Sequence, residues 1–434
     1  MELTDAGAEP RSAPDDQARP SILQRNVRSM VRAQASMARE AGFYPFSHVL
    51  AHPGAASAAS DGQREVLNFG SSNYLGLSTH PEVIAAAQEA TRRYGTSSAG
   101  PRLFNGTLSL HLQLEEELAD FYGKQAAAVF SSGYAANTAM LSSLLNADDV
   151  AIFDRHSHIS QREGAERYGI PALTFRHNSP ESLSHRIAGL PADRAFAVCL
   201  DGVFSMDGSI AKLREIAGIT AAAGGCLMVD EAHALGVIGA TGRGACEHHG
   251  CLDQAGLISV SLSKALAGTG GAVIGDRATI EHIVLTARSY IFTASCDPAA
   301  VAAVLASLRI LRGTPELPAA ARCQGQRLRE VVTEAGWEAV PGQTPIVCIP
   351  VRNRISAVLA WRSLLDDGVF ANVAIPPAVP EHSCVIRLTA TVAHTEPEFE
   401  RLHAALVAAR ARLRDARDYL ELRRGKLYWP RMPS

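Results

Sequence analysis

Short apolar runs alternate with helical stretches through the middle of the chain. They lie at residues 126–130, 150–153, 197–200, 226–229, 257–260 and 272–274. Strands buried on both faces of a parallel sheet have such uninterrupted apolar runs, whereas half-exposed strands alternate apolar and polar residues. The pattern therefore predicts an α/β fold, with a large, mainly parallel sheet over residues 67–313 that helices cover on both faces.

A second, smaller unit is predicted after residue 313. Its apolar runs lie at 346–351, 369–373 and 385–388, and a capping box that starts at Thr395 predicts a long helix to about residue 422. We interpret residues 314–422 as a small C-terminal α/β domain and residues 423–434 as a tail.

Residues 1–66 form an N-terminal extension in this interpretation. Their composition predicts disorder over residues 1–20, a helix from Ser21 and a loop of small residues at 53–62. A capping box at residues 79–82 predicts the start of the first helix of the large domain.

The helix predicted from Ser21 has a basic face, which contains Arg25, Arg28, Arg32 and Arg39. A basic amphipathic helix can lie on an anionic membrane. We favour a solvated face on a helix that packs against its own protein, because most charged helix faces are of that kind. Contact with a carrier protein is a further alternative.

The composition limits the classes of function. The chain has 434 residues, 47% of them hydrophobic, and a formal net charge of -3. It can bury a large core, and its charge gives no electrostatic reason to bind nucleic acid. The N-terminus lacks the apolar segment of a secretory signal, and no apolar run is long enough to cross a bilayer. We expect a soluble, cytoplasmic protein.

The eight cysteines are dispersed and include no C-x-x-C pair, so we expect reduced thiols. Cys246, His248, His249 and Cys251 lie too close together in sequence to converge easily on one ion. The sequence therefore predicts no metal cofactor.

Two of the predicted strands are followed by residues whose side chains can bind a cofactor or transfer a proton. One is followed by Asp230 and, three residues later, by His233. The next is followed by Ser261, Ser263 and Lys264, and then by a glycine-rich segment. Because the carboxyl ends of parallel strands meet at one edge of the sheet, we expect these side chains to lie close together.

Together these residues match the needs of pyridoxal phosphate (PLP). A lysine forms the imine, an aspartate keeps the pyridine nitrogen protonated and hydroxyls hold the phosphate. Residues 131–137 follow another strand and start an apolar helix, whose free N–H groups suit the phosphate. The chain has neither a G-x-G-x-x-G nor a P-loop pattern, so a dinucleotide or P-loop enzyme is not supported.

The order of several motifs resembles the α-oxoamine synthases, which are fold-type I PLP-dependent transferases. The resemblance spans residues 45–394. It rests on residues 68–76 (NFGSSNYLG), 106–107 (GT), 132–134 (SGY), 154–158 (DRHSH), 203–208 (VFSMDG), 229–233 (VDEAH) and 263–264 (SK). Within that family, the bacterial serine palmitoyltransferases are most similar at residues 175–179 (FRHNS), 290–295 (YIFTAS) and 376–380 (PPAVP).

The resemblance implies a role for each matching residue. Lys264 would form the imine and remove the α-proton of the substrate. Asp230 would pair with the ring nitrogen, His233 would hydrogen-bond the ring hydroxyl, and His158 would stack on the ring. The other cofactor-binding residues implied are Gly133, Tyr134, Ser205, Ser261, Ser263 and Thr293.

Two further residues are implied to bind the substrate. These are Asn73 and Arg387, whose guanidinium would grip the substrate carboxylate through a bidentate contact. Thr293 would reach the phosphate in the neighbouring subunit, so the resemblance also implies a homodimer with shared active sites.

The reaction implied is the decarboxylative Claisen condensation of a small amino acid with an acyl thioester. Its products are a 2-amino ketone, carbon dioxide and a free thiol. The acyl group would be held either on coenzyme A or on an acyl-carrier protein. The chain departs from the family pattern at Ile375, where an arginine is usual, and at Ser72, where the serine palmitoyltransferase-like members have tyrosine.

These departures leave the amino acid open. We hypothesise a relaxed or altered substrate choice, with alanine, glycine or another small amino acid instead of serine. The first alternative to a serine palmitoyltransferase-like enzyme is one similar to 8-amino-7-oxononanoate synthase, or another α-oxoamine synthase that uses alanine or glycine. An aminotransferase or lyase with the same lysine and aspartate is a second alternative. A catalytically silent partner subunit is a remote one, because such a subunit would be expected to lose Lys264.

Overall fold

The computed structural model describes residue 22 and residues 30–53, 57–60, 64–376, 378–379 and 382–422. The segment predicted to be disordered, Arg25 and Arg28 of the predicted basic face, and the tail after residue 422 lie outside the described residues. The predicted N-terminal helix is confirmed over Met30–Glu40, and the chain turns at Gly42, whose φ of 73° suits glycine.

The described residues contain fourteen strands. They are β1 (Leu50–Pro53), β2 (Ser57–Ser60), β3 (Arg64–Asn68), β4 (Ala126–Phe130), β5 (Val150–Asp154), β6 (Ala172–Phe175), β7 (Phe196–Asp201), β8 (Cys226–Asp230), β9 (Leu257–Ser261), β10 (Gly271–Gly275), β11 (Ile346–Pro350), β12 (Val369–Phe370), β13 (Asn372–Ala374) and β14 (Val385–Thr389).

The large sheet has seven strands in the order β4-β10-β9-β8-β7-β5-β6. The pairings from β9 through β8, β7 and β5 to β6 are parallel, and β10 is antiparallel to both β9 and β4. The predicted mainly parallel sheet is therefore confirmed. Strands β5, β7 and β9 are buried along their whole length, as their apolar sequences require.

Two smaller sheets accompany it. One has the antiparallel order β11-β14-β13, and the other has the order β1-β2-β3-β12. Strand β2 lies within residues 53–62, so the loop predicted there is wrong at that point. Its sequence, Ser-Ala-Ala-Ser, has none of the β-branched or aromatic residues that signal a strand.

The N-terminal strands also bear on the predicted domain boundaries. Strand β3 pairs in parallel with β12, and Val66, Leu67 and Phe69 share a hydrophobic core with residues such as Trp361 and Leu388 of the predicted small domain. The division at residues 67 and 314 stays a prediction.

Helices connect and cover the strands. Those described are Met30–Glu40, Pro81–Tyr94, Ser109–Tyr122, Gly133–Leu144, Ile159–Glu166, Pro180–Ala188, Leu213–Ala222, Ala245–His248, Arg277–Thr286, Arg288–Ile291, Pro298–Gly313, Leu317–Glu334, Arg354–Asp366 and Glu396–Leu422. None of the helices among the described residues is long and apolar enough to span a membrane.

The two capping boxes have different outcomes. At Thr395 one half of the box is present, because the Glu398 carboxylate accepts the Thr395 N–H (2.7 Å). The other half is not, because the Thr395 hydroxyl donates to the same carboxylate (2.9 Å) and the Glu398 N–H bonds to the Thr395 carbonyl. At the earlier helix the N-cap is His80, whose ring accepts the Glu82 N–H, and the prediction of Thr79 is wrong by one residue. Pro81 at the first helical position fixes this register.

The edge strand β4 is protected by a buried ion pair. Glu115 accepts the Val129 N–H (2.8 Å) and forms a two-pronged contact with Arg102 (2.8 and 3.0 Å). Both side chains are almost entirely buried. The pair therefore binds a backbone N–H at the edge of the sheet and also holds the segment around Arg102 against the sheet.

We predict that Glu115→Ala destabilises the protein by about 3–5 kcal/mol, because it leaves the Arg102 guanidinium buried without its partner. Thermal unfolding of the two proteins measures the effect. Glu89→Ala is the matched control: it removes an ion pair to Arg92 on an exposed helix surface and is expected to leave Tm unchanged. Equal Tm losses in the two variants would contradict this assignment.

Candidate active site

Three neighbouring strands of the large sheet end in polar side chains at the same edge. Strand β7 ends in Asp201, β8 in Asp230 and β9 in Ser261, and Asp201 lies opposite Asp230 in the parallel register. Lys264 follows three residues after β9. The residues that the sequence predicted to meet at strand ends are therefore brought to one place, as a parallel sheet dictates.

Lys264 is mostly buried beside both carboxylates. Burial lowers its pKa below the ordinary lysine value and the Arg387 cation lowers it further, while Asp230 and Asp201 act in the opposite sense. A buried amine with a lowered pKa spends more time neutral, and only a neutral amine is a nucleophile or a base.

Asp230 is held by donors on two sides. Its Oδ2 accepts a hydrogen bond from the Asn137 amide (2.6 Å), and its Oδ1 accepts the Ala232 N–H (2.9 Å). Asp201, fully buried on the next strand, has a pKa raised well above the usual range by burial and by the charge of Asp230. Burial beside a second carboxylate therefore favours the protonated form of Asp201.

His233 is fixed by a tyrosine. The Tyr74 hydroxyl lies 2.6 Å from His233 Nδ1; the Tyr74 ring is buried and His233 is half-buried. Burial, together with the cations of Lys264 and Arg387, lowers the pKa of His233 well below its ordinary value. His233 is therefore neutral at pH 7, with its orientation set by Tyr74.

His158 is the N-cap of the helix Ile159–Glu166. Its backbone N–H donates to Asp201 Oδ1 (3.1 Å), and its ring Nδ1 lies 2.7 Å from the Ser160 hydroxyl. Burial and the Lys264 cation lower its pKa, which Asp230 partly offsets. Much of the ring is nevertheless exposed, which leaves a face free for a flat ligand.

A cradle for a phosphate lies at the N-terminus of the helix Gly133–Leu144. Ser132 caps this helix, and Ser261 and Ser263 lie beside it with their hydroxyl oxygens 2.9 Å apart. A Cβ on Gly271 would lie 2.6 Å from the Gly133 nitrogen, so the close approach of the two segments requires glycine. Unpaired N–H groups and hydroxyls at a helix N-terminus suit an anion.

A cavity of about 320 Å³ opens beside His233. It is lined by Ser72, Ser205, Met206, His233, Asn372, Val373, Ala374, Ala378 and Arg387. Arg387 Nε donates to the Ser205 carbonyl (2.7 Å), whereas its buried Nη2 has no hydrogen-bond partner. An unpaired buried guanidinium nitrogen is costly without an acceptor, so a carboxylate fits this position.

The other predicted residues do not all lie at this cavity. The Asn73 amide donates to the Ser78 hydroxyl (2.8 Å), and Asn73 is not among the residues that line the cavity. Tyr134 is exposed and its hydroxyl donates to Glu163. Among the described residues, no hydrogen bond links Thr293 to the rest of the site, and Ile375 is buried in the core that contains β14. Their predicted roles stay predictions.

Sequence reasoning did not identify four residues that shape the site. They are Tyr74, Asn137, Ser160 and Asp201. Tyr74 and Asn137 lie within the motifs at residues 68–76 and 131–137, but nothing there pointed to their contacts. Asp201 left the clearest signal, because it ends a buried apolar strand in the same way as Asp230. The others come from helices and turns that meet only in three dimensions.

A charged cluster joins the segments that end or follow β5, β6 and β7. His177 Nδ1 lies 2.9 Å from the buried Asp154, and its Nε2 lies 3.3 Å from Asp207. His156 stacks on His177 with ring centroids 4.0 Å apart, and these two rings and Asp207 place potential metal-ligand atoms within 4.8 Å. Burial opposes a proton on His177, but its hydrogen bonds to the two aspartates prevail and raise its pKa to about 9.

Comparison with known proteins gives the family. The model of the class I and II aminotransferases matches residues 64–406. The chain belongs to this family. Serine palmitoyltransferase of Caulobacter vibrioides is 38% identical over 343 residues, covering 78% of this chain and 84% of the relative. 8-Amino-7-oxononanoate synthase of Geobacter sulfurreducens is 36% identical over 379 residues, covering 87% and 96%.

Solved structures of serine palmitoyltransferases are similar to this chain in fold. Serine palmitoyltransferase of Sphingomonas wittichii is 30% identical, with a TM-score of 0.87 and coverage of 91% of this chain and 100% of that one. A high-resolution structure of SPT with a PLP internal aldimine has the same TM-score at 32% identity, covering 91% and 99%. The predicted fold type I is therefore confirmed, and with it the family to which the sequence motifs pointed.

We predict that His177→Gln lowers Tm most near pH 6 and progressively less as the pH rises. The folded-state pKa of about 9 exceeds the ordinary value of about 6.5, so the stabilisation is complete below pH 6.5 and is lost as the pH rises through 9. Thermal unfolding of both proteins between pH 6 and 10 checks this. A Tm difference that stays constant or grows with pH would contradict the charged state of His177.

Proposed function

We propose that this chain is a PLP-dependent α-oxoamine synthase that joins a small amino acid to an acyl thioester, with loss of carbon dioxide and release of the thiol. The observation that carries the proposal is Lys264, which is mostly buried beside Asp230 three residues after β9, together with a cavity that is lined by His233 and by Arg387 with its unpaired nitrogen. The similarity to serine palmitoyltransferases and to 8-amino-7-oxononanoate synthase supports the reaction type.

The donor set fits PLP. Lys264 would bind its aldehyde, Asp230 its ring nitrogen and His233 its ring hydroxyl. The cradle at Ser132 and Gly133, with Ser261 and Ser263, would take the phosphate. When bound, PLP supplies an electron-withdrawing ring that stabilises negative charge at the α-carbon of an amino acid.

The chain itself supplies positioning and proton transfer. Arg387 binds the amino acid carboxylate through Nη2, while its Nε stays on the Ser205 carbonyl and fixes the guanidinium plane. Lys264, whose pKa is lowered by burial, accepts the α-proton through Nζ once it is free and later returns a proton. His233 stays neutral and donates a hydrogen bond rather than a proton.

The amino acid is proposed to be alanine, glycine or another small one, and not serine alone. Ser72 lines the cavity wall with a short side chain, and Ile375 is buried and contributes no charge. Arg387 is therefore the cation that the described cavity lining offers to a carboxylate. The acyl donor is proposed to be acyl-CoA or an acyl-carrier protein.

We also propose that two copies of the chain form the active unit. The segments around Phe104 and Phe292 lie together, because Pro101 bridges Ala294 and the Ser98 and Ser295 hydroxyls are 2.6 Å apart. Phe104 and Phe292 are 76% and 78% exposed. Two large apolar side chains at one place favour burial against a second copy, to whose site Thr293 would contribute.

The proposed reaction predicts thiol release that depends on an amino acid. The purified protein with PLP is assayed with decanoyl-CoA or palmitoyl-CoA and with serine, alanine or glycine. Release of free thiol with at least one amino acid is expected, and exclusive use of serine would contradict the proposed substrate choice. Transamination without thiol release would overturn the proposed reaction.

Arg387→Lys is expected to raise the KM for the amino acid about 100-fold, because an ammonium cannot reproduce the planar two-nitrogen contact. The KM for the thioester should change far less. Arg309→Lys, at an exposed ion pair with Glu117, is the control and should leave both constants unchanged. An unchanged amino acid KM in Arg387→Lys would remove this residue from the site.

Phe104→Glu and Phe292→Glu are each expected to shift the protein from dimer to monomer and to abolish activity. Light scattering during size-exclusion chromatography measures the mass in solution. Leu285→Glu is the control: Leu285 is 68% exposed on the helix Arg277–Thr286, and this variant should remain a dimer. A wild-type protein that is monomeric and active would overturn the dimer proposal.

A further inference from the structure

A continuous chain of hydrogen bonds joins Asp230 to His158. Asn137 Nδ2 donates to Asp230 Oδ2 (2.6 Å) and to the Ser160 hydroxyl oxygen (2.9 Å), and this oxygen lies 2.7 Å from His158 Nδ1. Asn137 and Ser160 are both buried. Solvent therefore cannot replace either of them without a rearrangement of the helix starts.

The direction of the hydrogen bonds in this chain is determined by its acceptors. An ionised carboxylate can only accept, so the nitrogen of the Asn137 amide faces Asp230, and the amide oxygen accepts from the Ser259 hydroxyl (2.6 Å). Both hydrogens of the Asn137 nitrogen are then used, one on Asp230 and one on Ser160. Because the Ser160 oxygen accepts from Asn137, its own hydrogen is free to point at His158 Nδ1.

A second donor reaches the same nitrogen. The Ser160 backbone N–H points at His158 Nδ1 at 3.4 Å, and a backbone N–H can only donate. His158 Nδ1 is thus an acceptor from two directions and has no hydrogen of its own. The hydrogen of the neutral ring must then be on Nε2.

We propose that Asn137 and Ser160 are positioning residues that hold His158 as the neutral Nε2–H tautomer, so that His158 presents a hydrogen-bond donor and not a proton acceptor to what is bound against its ring. The inference rests on the proposed function only in placing PLP and the substrate there. It assigns proton removal to Lys264 alone.

The surrounding charges agree with a neutral ring. Burial and the Lys264 cation both lower the pKa of His158, and Asp230, which raises it, is already engaged by Asn137 and by the Ala232 N–H. Asp201 accepts the His158 backbone N–H and not a ring hydrogen. No carboxylate among the described residues is hydrogen-bonded to the His158 ring.

The tautomer can be measured directly by histidine-selective 15N NMR of the purified protein with PLP bound. His158→Gln identifies the His158 signals by their disappearance. At pH 7 we expect the shift of an unprotonated nitrogen for Nδ1 and that of a protonated nitrogen for Nε2. A protonated Nδ1, or a fully protonated ring, would overturn the proposal.

Substitutions test the positioning role. Asn137→Ala and Ser160→Ala are each expected to change the 15N pattern of His158 and to lower kcat/KM about 10- to 100-fold, the scale of a misplaced catalytic group. Because both break one chain, the double variant should be no worse than the more impaired single variant. Independent, multiplicative losses with an unchanged 15N pattern would overturn the proposal.

Of Asn137 and Ser160, only Asn137 is hydrogen-bonded to Asp230. We therefore expect Asn137→Ala, and not Ser160→Ala, to move the pH at which the visible absorbance of the bound cofactor titrates. Thr220→Val, which removes a buried hydroxyl on the helix Leu213–Ala222, is the control for lost stability and should change neither absorbance nor kcat/KM. Protein that binds no PLP would overturn the proposed function, whereas a wrong tautomer in an active, PLP-bound protein would overturn this inference alone.

Discussion

Two carboxylates and an amine buried at one edge of the large sheet impose the constraint on which the rest of the site depends. Asp201 and Asp230 lie opposite each other at the ends of adjacent parallel strands, and Lys264 follows the next strand. Such groups are costly to bury unless each has a partner. The residues around them supply those partners, and these contacts determine which groups of the site can carry a charge or accept a proton.

The partners act in a consistent sense. The Asn137 amide donates a hydrogen bond to Asp230 and so satisfies one of its acceptor positions without adding a charge. The backbone N–H of His158 does the same for Asp201. The two histidines of the site are kept neutral by burial and by nearby cations. Among the described residues of the site, positive charge is thus left to Arg387 and to Lys264 when it is protonated, where a carboxylate and an aldehyde would be bound.

Much of this arrangement could be predicted from the sequence. Apolar runs locate six of the seven strands of the large sheet to within one residue at each end, since a strand buried on both faces tolerates little else, whereas β6 at the sheet edge was not predicted. Asp230 and Lys264 directly follow such runs, so their meeting follows from the parallel sheet. The weakest predictions concern strands of small residues such as β2 and the exact helix cap at His80, where local signals are slight or compete.

The remaining features depend on contacts that sequence spacing does not encode. Asn137 lies 93 positions from Asp230, and Tyr74 lies 159 positions from His233. Each lies within a motif that the sequence shows, but the motif does not reveal which distant residue its side chain contacts. Their roles become visible only through the atoms they contact, which is also why the orientation of His158 could not be anticipated.

The covalent role of Lys264 is the central claim, and borohydride reduction followed by peptide mapping tests it most directly. The protein is purified with PLP, reduced and digested, and the modified peptide is identified by mass spectrometry. The account predicts a reduced pyridoxyl phosphate group on Lys264 and on no other lysine, and no modification in Lys264→Ala. Modification at a different residue, or none in protein that has bound PLP, would contradict it.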